Sequence, residues 1–427
     1  MGAAPDNESR EAGRGGISRG GTTCYPLVTP KRGVFGFNKN MIVSYCMKIL
    51  GIESSCDETA AALLEVEKGQ FKVLHNVVWS QTEIHKKYGG VVPEVAARQH
   101  VEAINLVIEE ALGKVNKPDL IAVTKGPGLI TSLAVGVQAA KTLSYVWQIP
   151  LVSVNHLEGH LWSFLLNSKS QILISKKNSN SKLQAKEKFG NWNSEIGNYL
   201  PAVALIVSGG HTELILVKAI GKYKLIGQTL DDAVGEAFDK VAKMLNLGYP
   251  GGPIVAHFAK SGNSEAIKFP RPMLKSARFD REARRDDFDF SFSGLKTAVK
   301  YHLQNMTPTG GLSQSYVNDI CASFQQAVID VLVSKTIRAA EKFKAKSIIL
   351  GGGVSANEEL ISKFQFPISK SGLNFYYPER WLTGDNAAMI ALAGYFNSKK
   401  SSSLRPRSEA SKTTWKTLTA DANLRLA

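Results

Sequence analysis

Apolar residues follow two different periods along this chain, and the two periods alternate. Short continuous apolar runs, such as KILGIESS (residues 48–55) and LIAVTKGPG (residues 120–128), predict buried strands. Longer segments with apolar residues at helical spacing, such as residues 101–115 and 129–147, predict helices. This alternation of strands and helices is typical of an α/β fold.

Two strand-turn-strand patterns open the two halves of the chain. Residues 48–66 place a polar turn between two apolar runs, and residues 202–220 place Gly-Gly at the corresponding turn. The similarity of these openings predicts an internal duplication. A chain of 427 residues is also too long for one hydrophobic core, so two lobes are expected.

Three turns that follow strand-like runs could bind a phosphate group. They are residues 51–59 (GIESSCDET), 207–212 (VSGGHT) and 351–357 (GGGVSAN). Glycine lets the backbone approach an anion closely, and backbone amides supply a positive field. Each turn alone could be a simple chain reversal, but together they favour a nucleotide cleft between lobes. The sequence has neither a GxxxxGK[ST] nor a GxGxxG pattern, so the cleft would belong to neither the P-loop nor the dinucleotide-binding class.

The segment VNHLEGHL (residues 154–161) sets two histidines four residues apart. On a helix, His156 and His160 would share one face with Cβ atoms roughly 5–6 Å apart, which suits one divalent ion. The alternative is that both histidines simply belong to the core or to a helix surface and bind no metal. A hydrolytic HExxH site needs Glu directly after the first histidine, but Leu157 stands there and Glu158 follows, rotated by roughly 100°. A metallopeptidase is therefore disfavoured, and Glu158 is expected to be a bystander or to lie behind the ligands.

A third metal ligand must come from elsewhere in the chain. The best candidate is Asp385 in LTGDNAAM (residues 382–389). Because Asp385 precedes a helix of small residues, its alternative role is a helix N-cap. Two imidazoles and a carboxylate suit Fe(II), Zn(II) or Mn(II), and the pattern does not choose among them.

Charge and cysteine content narrow the class of protein. The formal charge of +15 suits a polyanionic partner such as nucleic acid, although a well-solvated basic surface has the same composition. The four cysteines are scattered without a CxxC pair, so neither a disulfide framework nor a zinc ribbon is indicated. The sequence contains no run of about 18 apolar residues, so it predicts no membrane span. A cytoplasmic location is expected.

The first 46 residues are rich in Gly, Arg and Ser and show no hydrophobic period. This composition predicts a disordered extension or a misassigned start, and Met47 directly precedes the first strand. A mitochondrial transit peptide is the alternative, but Asp6, Glu8 and Glu11 count against it.

Several long segments together resemble one family, the tRNA N6-adenosine threonylcarbamoyltransferases, called TsaD in bacteria. The resemblance covers nearly all of residues 47–397 and is carried by long, idiosyncratic motifs. These are GIESSCDET (51–59), YGGVVPEVAARQH (88–100), GPGLITSLAVG (126–136), NHLEGHL (155–161), VSGGHTELI (207–215), DDAVGEAFDKVAKMLNLGYPGGP (231–253), FPRPM (269–273), DFSFSGLKTAV (289–299), GGGVSAN (351–357) and TGDNAAMIA (383–391).

The resemblance implies the α/β, two-lobed actin-like ATPase (ASKHA, sugar kinase/Hsp70) fold with duplicated βββαβα-type lobes. The expected organisation is an N-terminal lobe at 47–166 completed by about 386–400, and a C-terminal lobe at 200–385. Outside the lobes we expect a low-complexity insertion at 167–199 and a C-terminal tail at 401–427. The insertion at 167–199, a basic insertion at 274–287 and the N-terminal extension depart from the family pattern without touching a motif.

The resemblance also implies the site. One divalent metal per subunit, with Fe(II) preferred over Zn(II) or Mn(II), would bind His156, His160 and Asp385. Asp57 and Glu58 would serve catalysis or substrate positioning. Threonylcarbamoyl-AMP or another adenine nucleotide, such as ATP, would contact Ile206, Val207, Ser208, Gly209, Gly210, Asp239, Gly252 and Asn357.

The implied reaction transfers a threonylcarbamoyl group from its adenylate to the adenosine 3′ of the anticodon in tRNAs that read ANN codons. Expected partners are tRNA, TsaB- and TsaE-type subunits and a TsaC-type synthase that supplies the adenylate, with no membrane. The metal would act as a Lewis acid, and amides of the Ser208-Gly209-Gly210 turn would stabilise the departing AMP. An actin-like ATPase or sugar kinase, and less favourably a metallopeptidase, are the competing functions.

Overall fold

The computed structural model describes residues 46–167, 192–274, 288–306, 312–400 and 414–427. All of them belong to one compact unit. The strands are β1 (Met47–Glu53), β2 (Glu58–Glu67), β3 (Gln70–Ser80), β4 (Leu120–Gly126), β5 (Leu151–Asn155), β6 (Ala202–Val207), β7 (Thr212–Ala219), β8 (Lys222–Gln228), β9 (Ser347–Gly351) and β10 (Asn374–Tyr376). The helices are α1 (Thr82–Lys86), α2 (Pro93–Leu112), α3 (Ile130–Trp147), α4 (His156–Trp162), α5 (Trp192–Tyr199), α6 (Val234–Met244), α7 (Gly251–Ala259), α8 (Ser293–Met306), α9 (Gln314–Lys342), α10 (Glu358–Ser371) and α11 (Ala387–Lys400).

The strands form two five-stranded sheets of the same topology. The first sheet has the order β3-β2-β1-β4-β5, and the second, read from its β8 edge, has the order β8-β7-β6-β9-β10. In each sheet three antiparallel strands are followed by two strands that pair in parallel. This repetition confirms the predicted duplication and the two-lobed, actin-like α/β class.

Helix α11 returns from the end of the second lobe to pack on the first sheet, where it contacts β1, β2, β4 and β5. Small residues on both sides of this contact allow a close approach. A Cβ atom on Gly51 of β1 would overlap the carbonyl of Ala387 in α11, and one on Gly394 of α11 would overlap Ala122 of β4. The small-residue pattern of the sequence thus reflects helix-on-sheet packing.

One hydrophobic cluster runs through both lobes. It joins Ile49 and Val152 of the first sheet, Ala204 and Ile206 of the second, and the buried face of α11. Separate clusters fill the outer layers of each lobe. Among the described residues, α9 is the helix long and apolar enough to cross a membrane by length and composition, and 72% of its most apolar window is buried in the fold.

The last described segment, residues 414–427, packs on the first lobe. Trp415 contacts Tyr145 edge to face at 4.8 Å between ring centroids, and Leu418 is buried. The backbone N–H of Asp421 donates to the carbonyl of Lys125 at 2.9 Å. Helix α5 occupies the end of the predicted 167–199 insertion. The other interpretations of residues 1–45, 168–191, 275–287 and 401–413 lie outside the described residues.

Candidate metal and nucleotide site

A cleft of about 1660 Å³ lies between the two sheets and is lined by all three predicted glycine turns. Its walls come from both lobes, because the turns after β1, β6 and β9 end at the same opening. Ten of the predicted site residues line it: Asp57, Glu58, His156, Ser208, Gly209, Gly210, Asp239, Gly252, Asn357 and Asp385. The fold thus brings together residues separated by more than half of the chain.

The two histidines and Asp385 converge at the base of this cleft. The Nε2 atoms of His156 and His160 lie 3.4 and 3.0 Å from Oδ1 of Asp385. One ligand atom from each residue lies within 4.8 Å of the others. The imidazole rings are perpendicular, with centroids 4.7 Å apart. Two imidazole nitrogens and one carboxylate oxygen at this spacing fit a divalent metal with open coordination positions.

The charges around these atoms also fit a cation. Burial alone would raise the pKa of Asp385, but the imidazoles of His156 and His160 hold that pKa well below its usual range. Burial alone would lower the pKa of His156, but Asp385 and Glu53 raise it well above its usual range. Both carboxylates thus favour positive charge at this position, and a divalent cation bound to the neutral imidazoles would supply that charge.

The local fold explains why the histidines point inward. The side chain of Asn155 accepts a hydrogen bond from the amide of Leu157 at 2.9 Å and so caps α4 at its first turn. Asn386, not Asp385, supplies the cap of α11, because its Oδ1 accepts from the amide of Met389 at 3.1 Å. Asp385 is therefore free of the alternative capping role and faces the histidines.

Glu158 points away from the triad, as the sequence predicts. Its carboxylate accepts hydrogen bonds from Tyr223 at 2.6 Å, from Asn397 at 3.0 Å and from Lys400 at 3.0 Å. These bonds tie α4 to β8 and α11. A carboxylate saturated in this way cannot act as the base of a metallopeptidase.

The turn after β6 offers two free amides to the cleft. The N–H of Ser208 is already used, since it donates to the carbonyl of His211 at 2.9 Å. The amides of Gly209 and Gly210 make no hydrogen bond to any described residue. A Cβ atom on either glycine would meet no described atom within 4 Å. The expected role of the Ser208 amide is therefore corrected, and the anion-binding capacity of the turn belongs to the two glycines.

Ile206 and Val207 differ from the other predicted nucleotide contacts. Both lie in β6, are fully buried and do not line the cleft. Their backbone groups pair with neighbouring strands, which leaves them to position the turn that follows.

The remaining nucleotide candidates, Asp239, Gly252 and Asn357, also line the cleft. Oδ1 of Asp239 accepts from the amide of Gly251 at 2.6 Å and thereby holds the start of α7. Gly252 faces open cleft space. Oδ1 of Asn357 caps α10 by accepting from Leu360 at 3.0 Å, while its Nδ2 donates to Gln325 at 2.8 Å. Asp239 and Asn357 thus combine a structural bond with exposure to the cleft.

Asp57 ends the turn after β1 and Glu58 begins β2, and His100 holds this turn in place. The His100 ring bonds to the hydroxyl of Thr59 at 2.7 Å and to the carbonyl of Cys56 at 2.9 Å. Burial, followed by the charges of Asp57 and Asp385, raises the pKa of Glu58 well above its usual range. The fold therefore places a carboxyl of raised proton affinity at the cleft.

This raised pKa predicts that Glu58→Gln stabilises the metal-free protein at neutral pH. A carboxyl whose folded-state pKa is raised favours folding fully only below its unfolded pKa, and loses that contribution as pH rises through the folded pKa. A glutamine side chain carries no such penalty. We therefore expect the melting temperature of Glu58→Gln to exceed that of the parent chain by about 1–2 °C at pH 7. The difference should vanish near pH 4. Thermal melts from pH 4 to 8 after chelator treatment test this, and a pH-independent difference would contradict it.

Two residues of the site carried no sequence prediction. Glu53, the last residue of β1, is fully buried and contacts His156, and only its position inside GIESSCDET hints at a role. His211 lines the cleft directly after the Gly-Gly turn. Burial, together with the charges of His156 and His160, lowers the pKa of His211 to about 4. His211 is therefore neutral at physiological pH.

Comparisons with known proteins agree with this geometry. The family model of the tRNA N6-adenosine threonylcarbamoyltransferases (TsaD) matches residues 72–180 and 185–392. Proteins of that name are similar over 82–83% of this chain: one from Clostridioides difficile (strain 630) at 46% identity over 92% of its length, one from Endomicrobium trichonymphae at 45% over 93%, and one from Persephonella marina at 43% over 91%.

Among solved structures, full-length HypF in its phosphate- and nucleotide-bound form aligns with 84% of this chain and 47% of its own, at 13% identity and a TM-score of 0.49. The family model includes His156, His160, Asp385 and the turns after β6 and β9, and the relatives cover more than four fifths of the chain. The chain therefore belongs to the TsaD family of tRNA N6-adenosine threonylcarbamoyltransferases.

Proposed function

We propose that this chain transfers the threonylcarbamoyl group from threonylcarbamoyl-AMP to N6 of the adenosine 3′ of the anticodon in tRNAs that read ANN codons. The observation that carries the proposal is the convergence of His156, His160 and Asp385 at a cleft that also presents the Gly209-Gly210 turn. Membership of the family supplies the class of reaction.

The chemistry of the acceptor explains what the cleft has to do. The N6 amine is a poor nucleophile because its lone pair is delocalised into the adenine ring. N6 attacks the carbonyl carbon of the donor, the bond from that carbon to the phosphate oxygen breaks, AMP leaves and N6 loses a proton. Holding both reactants in one orientation lowers the barrier. The free amides of Gly209 and Gly210 would bind the charge that develops on the phosphate.

The proton released by N6 needs an acceptor. His211 lies in the cleft, but a pKa of about 4 makes it a weak base. Glu58 has a pKa raised above its usual range and is therefore the stronger base when ionised. We assign the proton to Glu58, with Asp57 beside it positioning the substrate.

The metal is part of the same proposal. His156, His160 and Asp385 would hold it, and Fe(II) is the proposed ion, with Zn(II) and Mn(II) as alternatives. A bound ion would supply Lewis-acid stabilisation of negative charge on oxygen.

The macromolecular substrate is consistent with the charge of the chain. A net charge of +15 favours contact with tRNA phosphates, which orient the substrate without reading its sequence. The target adenosine must leave its stack to enter a cleft of this kind. We propose TsaB- and TsaE-type subunits as protein partners and a TsaC-type synthase as the source of the donor.

Mass spectrometry of tRNA nucleosides tests the function. Unmodified tRNA is incubated with threonylcarbamoyl-AMP and the purified chain, with and without the partner subunits. We expect threonylcarbamoyladenosine to form, and to be lost when guanosine replaces the adenosine 3′ of the anticodon. Rapid ATP turnover without tRNA, together with no modified nucleoside in any combination, would favour the sugar-kinase or ATPase alternative instead.

A further inference from the structure

We infer that Glu53 fixes the ring orientation and tautomer of His156, so that Nε2 of this histidine is presented to the metal. Oε2 of Glu53 lies 3.0 Å from Nδ1 of His156, on the far side of the ring from Asp385. The hydroxyl of Ser55 also lies 3.2 Å from this nitrogen, but the carboxylate of Glu53 is the closer and more strongly accepting partner for the Nδ1 hydrogen. The lone pair of the ring is then on Nε2, which faces Asp385 and His160.

Glu53 is itself held rigidly. Oε1 accepts from the amide of Ser55 at 2.5 Å, and Oε2 also accepts from the hydroxyl of Thr124 at 2.6 Å. The parallel pairing of β1 with β4 runs up to Ile52 and Val123, the residues directly before Glu53 and Thr124. Three donors on one carboxylate leave it little freedom, so the imidazole that it contacts is held as well.

Among the described residues, His156 is the partner that can balance the charge of the buried Glu53. Its exposure is 0%, and the ion pair recorded for it there is with His156, with no lysine or arginine. A fully buried carboxylate without a partner is strongly unfavourable, and exchange for an apolar residue would often be tolerated. A carboxylate retained at this depth, aimed at a ligand histidine, is the arrangement expected of a positioning residue.

His156 and His160 differ in the partner of their Nδ1 atoms. Nδ1 of His160 is buried and has no hydrogen-bond partner among the described residues. His160 is therefore positioned through its contact with Asp385 and by packing, while His156 is held from behind by Glu53. We therefore expect metal affinity to depend on Glu53 more than on Glu158, the buried glutamate of α4 itself.

This inference rests on the metal site in the proposed function, and it is tested without the transfer reaction. The chain is stripped with chelator and titrated with Co(II), whose visible absorption reports both affinity and ligand geometry. Glu53→Gln keeps the size of the side chain and removes its charge. Glu158→Gln is the matched control, because Glu158 is a buried glutamate on the ligand helix that faces away from the triad.

We expect Glu53→Gln to bind Co(II) about 10–100-fold more weakly than the parent chain, with an altered absorption spectrum, and Glu158→Gln to match the parent in both. Thr124→Val, which removes one donor to Glu53, should weaken binding less, and Thr124→Ser should restore it. If thermal melts show that Glu53→Gln does not fold, the comparison of Thr124→Val with Thr124→Ser still tests the inference. Parent-like affinity in Glu53→Gln, an equal loss in Glu158→Gln, or no Co(II) binding by the parent chain would overturn the inference. A failure of transfer with these binding results intact would count against the proposed function alone.

Discussion

Asp385→Ala is expected to abolish metal binding and threonylcarbamoyl transfer together while leaving the fold intact. Oδ1 of Asp385 lies close to both Nε2 atoms, at 3.4 Å from that of His156 and 3.0 Å from that of His160. Removing a direct ligand should cost more than the 10–100-fold that loss of a supporting residue typically costs, so we expect metal affinity to fall by more than about 100-fold. Asn386 still caps α11, which preserves the helix.

Metal content and single-turnover transfer, measured on the same preparation, check this expectation. Glu265→Ala is a suitable control, since Glu265 is an exposed acidic residue outside the cleft. Full transfer activity in metal-free Asp385→Ala would contradict the assignment of the triad.

Gly209→Val is expected to eliminate the binding of threonylcarbamoyl-AMP without affecting the stability of the protein. A Cβ atom at Gly209 meets no described atom within 4 Å, so the added side chain enters only the space of the cleft. There it would separate the ligand phosphate from the Gly209 and Gly210 amides. Removing one hydrogen-bond donor of this kind typically slows a reaction about 100-fold or more, and separating the phosphate from both amides should weaken binding of the threonylcarbamoyl donor as well.

Isothermal titration with a non-reactive analogue of threonylcarbamoyl-AMP measures this loss. Gly294→Val is the control, because Gly294 also has open space around it but does not line the cleft. Both variants should melt within about 1 °C of the parent chain. Unchanged analogue binding in Gly209→Val would show that the turn does not contact the donor.

The central strands of each lobe could be predicted from the sequence because they are short apolar runs that end in glycine or polar turns. The pairing of β1 with β2, and of β6 with β7, follows from that pattern. The predicted helices at residues 101–115 and 129–147 correspond to α2 and α3, although α2 begins at Pro93, eight residues before the predicted segment.

Other features left no periodic signal. The segment 414–427 docks through scattered apolar residues such as Trp415 and Leu418, and through backbone bonds such as Asp421 to Lys125. Backbone hydrogen bonds do not depend on residue type, so the pattern of the sequence cannot reveal them. The same segment therefore looks like a tail in the sequence and packs as part of the first lobe.

The candidate site divides in the same way. The spacing of His156 and His160 predicts a shared helix face, but Asp385 lies 225 residues beyond His160 and joins them only through the packing of α11 against α4. Glu53 was missed because a glutamate at the end of a strand has no sequence signature of burial. Its role depends on Thr124 and His156, which come from β4 and the start of α4.

The most direct test of the account is a single-turnover reaction of threonylcarbamoyl-AMP with unmodified tRNA, in the presence of the metal-loaded chain and the partner subunits. Modified nucleoside is quantified over time for the parent chain and for Asp385→Ala. The account predicts threonylcarbamoyladenosine at the position 3′ of the anticodon with the parent chain, and none above background with the variant. Equal product from both proteins, or no product from the parent chain under any metal and partner combination, would contradict it.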